Sequence, residues 1–141
     1  MKWLLLSLAL LPSLAWADPE CRLSTAGADI AFQPVKANEI NQADYGVLVV
    51  NCPSGMAWTV EITNAQTGGV LPMDDGRGNT IPSYLTVSAT GQTLGSQING
   101  EGLTGEGTGI DQAISVRSRV SLPGVPPAGT YQATAQVLLN F

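Results

Sequence analysis

The chain has 141 residues, of which 12% are charged, and it contains eleven acidic and six basic side chains but no histidine. An acidic surface repels phosphate backbones and anionic lipid headgroups, so nucleic-acid and membrane-surface partners are disfavoured. The lack of histidine removes the commonest general base and the commonest metal ligand. The abundance of Gly, Ser, Thr, Asn and Gln is typical of extracellular β-proteins rather than of cytosolic helical enzymes.

The N-terminal segment, residues 1–17, has the features of a secretory signal peptide. Lys2 precedes the apolar run WLLLSLALLPSL, and Ala15 and Ala17 form an A-x-A cleavage pattern. The run is shorter than the roughly 20 residues of a transmembrane helix and no positive flank follows it, so we expect no integral membrane span. Cleavage after Ala17 leaves one domain, residues 18–141, with five basic and eleven acidic side chains and a net charge of −6.

Cys21 and Cys52 are the two cysteines of the chain. After export they enter an oxidising compartment, where a disulfide between them is the simplest expectation. A bridge that closes a loop of about 30 residues contributes roughly 3.5 to 4 kcal/mol in the chain-entropy model. This is a large share of the stability of a small domain.

Apolar and polar residues alternate with a period of two along most of the chain, which predicts β-strands. The predicted strands are a split first strand around ADIAFQP, between Cys21 and Pro34, then YGVLVVNC, AWTVEIT, YLTVSA, AISVRSRV and a last strand from about Tyr131 to Phe141. AQTGGVLPMDDGRGN is predicted to be a turn. Gly91 to Gly109 is predicted to be a loop or a loosely paired hairpin, because glycine loses the most backbone entropy on ordering. Six or so short strands with turns between them predict an all-β sandwich.

Groups that could catalyse a reaction are scarce. Asp74 and Asp75 are the only adjacent carboxylates, and with the following Gly and Asn they could help to coordinate calcium. Their spacing does not match a D-x-D-x-D-G calcium loop, so a solvated turn is the favoured interpretation. The sequence has no G-x-S-x-G motif. We therefore expect no enzyme activity, no catalytic or metal-ligating residues and no cofactor.

Three further side chains could contact a ligand. Trp58 lies on the apolar face of its predicted strand, where a core position is favoured over a sugar-stacking one. Arg117 and Arg119 project from one face of another strand, for which a solvated outer face is the default interpretation and a ligand contact the minority one.

Several features occur together in a recognisable order. Cys21 stands at the start of the first strand, Phe32 is the aromatic residue of IAFQP, and Cys52 ends the strand YGVLVVNC. The chain closes with GTYQATAQVLLNF, close to the pattern G-x-Y-x-x-T-x-x-V-x-L-x-F. In these features the sequence resembles the spore coat protein U domain family, which includes subunits of archaic chaperone-usher pili.

The chain departs from that family at two places. Gln33 and Pro34 follow Phe32 where family members often have Gly and then Tyr, and Ala133 stands where they often have Asp.

The resemblance implies an immunoglobulin-like sandwich that lacks its final strand. A periplasmic chaperone and later a neighbouring subunit supply that strand, and an outer-membrane usher assembles the fibre. The implied interface is the face of the last strand formed by Tyr131, Ala133, Ala135, Val137, Leu139 and Phe141. The carboxylate of Phe141 is expected to be anchored by basic residues of the chaperone. A terminal strand already paired within its own sheet remains the alternative.

Only Asp18, Pro19 and Glu20 precede Cys21 after cleavage, too few residues for a donor strand. We therefore expect a terminal or tip-like subunit, or a coat component that does not polymerise linearly. Either one would be exported through the periplasm to the cell surface or the extracellular space. The alternative function is a self-sufficient secreted binding module, for example for carbohydrate.

Overall fold

The computed structural model describes residues 20–23, 29–37, 43–122 and 124–141. The predicted signal peptide lies outside the described residues. Within them there are twelve strands and one short 3-10 helix, Gln97–Asn99. The strands are β1 (Arg22–Leu23), β2 (Ile30–Ala31), β3 (Val35–Lys36), β4 (Ala43–Asn51), β5 (Ala57–Ile62), β6 (Val70–Asp74), β7 (Thr80–Val87), β8 (Leu103–Glu106), β9 (Asp111–Val120), β10 (Thr130–Tyr131), β11 (Thr134–Ala135) and β12 (Val137–Asn140).

The strands form two antiparallel sheets with one core. The first sheet has the order β1-β4-β9-β7-β6 and the second the order β12-β5-β8, while β10 pairs with β3 and β11 with β2. Fully buried residues of both sheets, such as Leu48, Val60, Ile62, Leu85 and Val116, pack in one cluster. The predicted all-β sandwich is confirmed. None of the described helical residues forms a segment long and apolar enough to cross a bilayer.

Strand β5 shows how the sequence pattern produces a sheet. Trp58, Val60 and Ile62 are buried, while Thr59 and Glu61 between them are partly exposed, as the period of two predicts. The core position predicted for Trp58 is therefore confirmed. Strand β9 behaves in the same way, because its buried residues alternate with Ser115, Arg117 and Arg119.

The prediction of a turn at AQTGGVLPMDDGRGN was wrong, because Val70–Asp74 forms strand β6. Pro72 suggested a turn, but it lies opposite Pro82 in the β6–β7 pair. The neighbouring bond from Leu85 N–H to Gly69 O, 2.9 Å long, shows that Pro72 and Pro82 form a non-hydrogen-bonded pair. Neither ring nitrogen faces the partner strand, and β6 is an edge strand, where proline is tolerated.

The predicted disulfide between Cys21 and Cys52 is formed, and both cysteines are buried. It connects the residue before β1 to the residue after β4. The Sδ atom of Met56 lies 3.5 Å from the Cys21 Sγ atom and covers the bridge. The disulfide thus fixes the first strand to the edge of the first sheet.

Strand β8 lies within the glycine-rich stretch, and the packing of Trp58 requires a glycine in this strand. Gly105 lies opposite Trp58 in the β5–β8 pair. A Cβ atom at residue 105 would be 2.2 Å from Trp58 Cζ2, well inside van der Waals contact. The indole ring therefore occupies the space above Gly105.

We predict that Gly105→Ala lowers the free energy of unfolding by about 1 to 3 kcal/mol, because overpacking forces the Trp58 ring to move. Gly124→Ala is the matched control, since no atom lies within 4 Å of a Cβ atom there. Urea unfolding followed by tryptophan fluorescence measures both, as Trp58 is the only tryptophan outside residues 1–17. Equal unfolding midpoints for the two variants would contradict the contact.

Candidate functional site: the outer edge of the last strand

The last strand comprises β10, β11 and β12, from Thr130 to Asn140. In a β-strand, successive residues direct their backbone N–H and C=O groups to opposite edges. We call the edge served by the even-numbered residues the even edge, and the edge served by the odd-numbered residues the odd edge. A partner strand can add only to an edge whose groups are not already bonded.

The even edge is bonded at successive even-numbered residues from Gln132 to Asn140. Gln132 and Asp74 exchange two backbone hydrogen bonds, each 3.0 Å long. The Asn64 side chain continues this edge, because its Nδ2 donates to Thr134 O at 2.8 Å and its Oδ1 accepts from Gln136 N–H at 2.9 Å. From Val137 onward the even edge pairs with β5.

The odd edge is bonded only along its first part. Tyr131 pairs with Val35 of β3, and Ala135 pairs with Ile30 of β2. The N–H of Val137 then donates to the carboxylate Oδ1 of Asp29 at 3.2 Å.

After Val137 no strand pairs with the odd edge in the part of the chain that the structure describes. The Val137 C=O group and the backbone groups of Leu139 and Phe141 face this side. We call these groups the open edge.

The six predicted interface residues differ in burial. Tyr131, Ala135 and Val137 are buried, Ala133 and Leu139 are partly buried against the core, and Phe141 is 64% exposed. Only Val137, Leu139 and Phe141 contribute backbone groups to the open edge. The odd edge of the strand is therefore paired as far as Ala135 and has no partner strand after Val137 within the described residues, while the even edge of β12 is paired with β5.

The open edge belongs to an edge strand of the second sheet, because β12 has β5 as its only neighbour in that sheet within the described residues. The Leu139 side chain packs against the core with part of its surface exposed, and so does the Leu23 side chain of β1, the edge strand of the first sheet.

Strand β2 is held in place by contacts with β4. A Cβ atom at residue 46 would lie 2.3 Å from Ile30 Cγ2, so the Ile30 side chain occupies the space that Gly46 leaves. The Gln33 N–H donates to Asp44 Oδ2 at 2.6 Å. These contacts fix β2, the strand that pairs with the odd edge at Ala135, against β4.

Tyr131 anchors the start of the last strand. Its ring is fully buried, and its hydroxyl donates to the Pro127 carbonyl oxygen at 2.7 Å. A tyrosine bonded to a backbone carbonyl a few residues upstream is the tyrosine corner of immunoglobulin-like sandwiches. Burial, with a smaller contribution from the negative charge of Asp75, raises the pKa of the Tyr131 hydroxyl above its usual value of 10.0.

The carboxylate of Asp75 stabilises the β6–β7 loop. Asn79 Nδ2 donates to Asp75 Oδ2 at 2.8 Å, and the Arg77 N–H donates to Oδ1 at the same distance. The Asn79 side chain, assisted by the backbone N–H groups of Arg77 and Asn79, lowers the pKa of Asp75 despite some desolvation. The carboxylate thus binds donors of its own loop, as expected for a turn.

Asn64 and Asp29, whose side chains bond to the last strand, were not identified from the sequence, because their positions depend on the pairing of distant strands. The tyrosine corner could have been found from the sequence, because Pro127 lies four residues before Tyr131, where the predicted last strand begins.

The Spore Coat Protein U domain profile matches residues 7–138. The match covers most of the chain, which therefore belongs to this family.

A similar solved structure is the CsuC–CsuE chaperone–tip adhesion subunit pre-assembly complex from archaic chaperone-usher Csu pili of Acinetobacter baumannii. The similarity has a TM-score of 0.56 at 15% sequence identity, and it covers 87% of this chain and 40% of the chain in that complex. It supports the sandwich fold. No curated protein matches the chain significantly.

We predict that Tyr131→Phe lowers the free energy of unfolding by about 1 kcal/mol at pH 7, because the bond to Pro127 is lost. The wild-type tyrosine favours folding below pH 10 and loses this contribution as the pH rises further, since its pKa is raised in the folded state. Between pH 9 and pH 11 the free energy of unfolding of the variant should therefore decrease less than that of the wild-type protein. Urea unfolding at both pH values tests this, and equal alkaline losses would disprove it.

Proposed function

We propose that this chain is a secreted structural subunit of a surface fibre or coat, and that its open edge accepts a β-strand from another polypeptide. The observation that carries the proposal is the set of backbone groups at Leu139 and Phe141, which have no partner strand within the described residues, in a strand whose Leu139 side chain packs against the core with part of its surface exposed. Membership of the Spore Coat Protein U domain family supports it.

An added strand would bond to the unpaired backbone groups of the open edge and would cover the apolar surface beside it. The added backbone supplies hydrogen bonds to unpaired N–H and C=O groups, which otherwise invite aggregation. Its apolar side chains cover the part of the core exposed between the two sheets. If four or five apolar side chains were buried, the gross gain would be on the order of 10 kcal/mol.

The proposed partners act in sequence. Residues 1–17 direct export to the periplasm, where the disulfide forms and a chaperone supplies the first strand. An outer-membrane usher and a neighbouring subunit then replace the chaperone. The similar solved structure is itself a complex between a chaperone and a tip adhesion subunit. The terminal or tip-like position stays a prediction from the sequence.

The predicted interface divides into two parts. Val137, Leu139 and Phe141 offer backbone bonds to a donor strand without any change of fold. Tyr131, Ala133 and Ala135 would bond only to a donor that displaced β2 and β3, whose backbone groups already occupy that part of the odd edge.

We predict that strand addition changes amide hydrogen exchange in an alternating pattern. Leu138 and Asn140 are bonded to β5, so their N–H groups exchange slowly before and after a donor peptide is added. The N–H groups of Leu139 and Phe141 should exchange quickly in the free protein and at least tenfold more slowly with the peptide bound. Residue-resolved exchange measured by NMR tests this pattern.

The control is a peptide of the same length and otherwise the same sequence, in which proline replaces the alternate residues that would donate to the edge. A self-sufficient binding module would show no peptide-dependent protection at Leu139 or Phe141. That result, with an unchanged thermal midpoint, would contradict the proposed function.

We predict that Leu139→Asn weakens binding of the donor peptide about 30-fold or more, because an amide replaces an apolar side chain that the donor covers. Leu138→Asn is the matched control, since Leu138 points to solvent and is 46% exposed. It should change the dissociation constant less than threefold. Circular dichroism and disulfide titration verify that both variants are folded, and equal effects would show that the donor binds elsewhere.

A further inference from the structure

The outward face of the first sheet combines exposed apolar side chains with arginines. Tyr45, Val47 and Tyr84 are 57%, 54% and 41% exposed. Tyr45 lies directly opposite Arg117 in the β4–β9 pair, and Tyr84 lies opposite Arg119 in the β7–β9 pair. We call this surface, which also includes Arg22 of β1, the positive face.

The arginines of the positive face have no carboxylate partners. Three of the five basic side chains of residues 18–141 lie here, and within the described residues none of them forms an ion pair closer than 4.0 Å. The Nε of Arg117 is shielded from solvent and has no hydrogen-bond partner.

The carboxylates at the margins of this face keep their negative charge but lie away from its centre. Asp111 is six residues from Arg117 along β9, Asp74 is at the end of the edge strand β6, and Glu20 precedes the edge strand β1. Within the described residues, Arg117 and Arg119 therefore form the positive centre of the face.

The outward face of the second sheet has the opposite charge. Glu61 of β5 and Glu106 of β8 point outward, and β5, β8 and β12 contain no lysine or arginine. Leu138 lies opposite Glu61 in the β5–β12 pair and is 46% exposed. We call this surface the negative face.

We propose that the positive face of one copy of this chain docks on the negative face of a second copy. The charges of the two faces are complementary, and each face carries exposed apolar side chains that the contact would bury. Because two different faces meet, the contact is heterologous and leaves one of each free, so copies can stack further.

The stacking contact and the open edge occupy different parts of the molecule. The open edge is the lateral edge of β12 in the second sheet, whereas the two faces cover the outer surfaces of the sheets. Strand addition therefore leaves both faces accessible, and the present inference does not depend on the proposed function.

Charge reversal tests the contact in the exported protein, expressed as the full-length chain and examined by sedimentation velocity over a range of concentrations. Wild-type protein should associate at 20 mM salt and dissociate at 500 mM. Arg119→Glu and Glu61→Arg should each weaken association at least tenfold. An equimolar mixture of the two variants should associate again, because every contact can then join unlike charges.

Arg77→Glu is the matched control, since Arg77 is an exposed arginine in the β6–β7 loop outside both faces. It changes the net charge by the same amount as Arg119→Glu. The association constant should stay within about twofold of the wild-type value. Wild-type protein that stays monomeric at every concentration and salt would overturn the inference. So would weakening by Arg119→Glu without any effect of Glu61→Arg, because the positive face would then dock on a surface of the second copy other than the negative face.

Discussion

Backbone hydrogen bonding along the last strand determines which parts of this molecule are complete and which are open. A buried N–H or C=O group without a partner is costly, so each of these groups needs protein or water as its partner. The even edge achieves this with three kinds of partner: the end of β6, the Asn64 side chain and β5. The groups of the odd edge have partners only as far as Val137, whose N–H donates to the Asp29 carboxylate instead of to a neighbouring strand.

The period of two couples this open edge to the core. In the last strand the odd-numbered residues direct their side chains inward and their backbone groups to the odd edge. A donor strand would therefore bond to the residues whose side chains complete the core. A shift in register of one residue would change both the backbone bonding and the side chains that are buried. One register therefore directs the side chains of Val137 and Leu139 inward and leaves backbone groups of both residues on the open edge.

The sequence predicted those features that depend on local periodicity. The alternation in AWTVEI correctly assigned Trp58 to the core, and the two cysteines identified the disulfide. Strand β6 was missed because Pro72 disfavours a strand unless it lies at an edge and in a non-hydrogen-bonded pair, and neither fact is local. The extent of the open edge could not be predicted either. It depends on where β2 lies beside the last strand, and β2 contacts β4 through Ile30 and Gly46, residues 16 positions apart.

Edges and faces give this sandwich two independent directions of association. Backbone bonding at an edge is directional and changes little with salt, whereas pairing of charged faces weakens once the separation of the charges exceeds the Debye length, about 8 Å at physiological ionic strength. A net charge of −6 for residues 18–141 opposes any contact between copies at long range. Attraction between Arg119 and the Glu61 surface therefore acts at short range. Because the open edge and the two faces are different surfaces, edge bonding and face pairing can operate in one assembly without competing for the same groups.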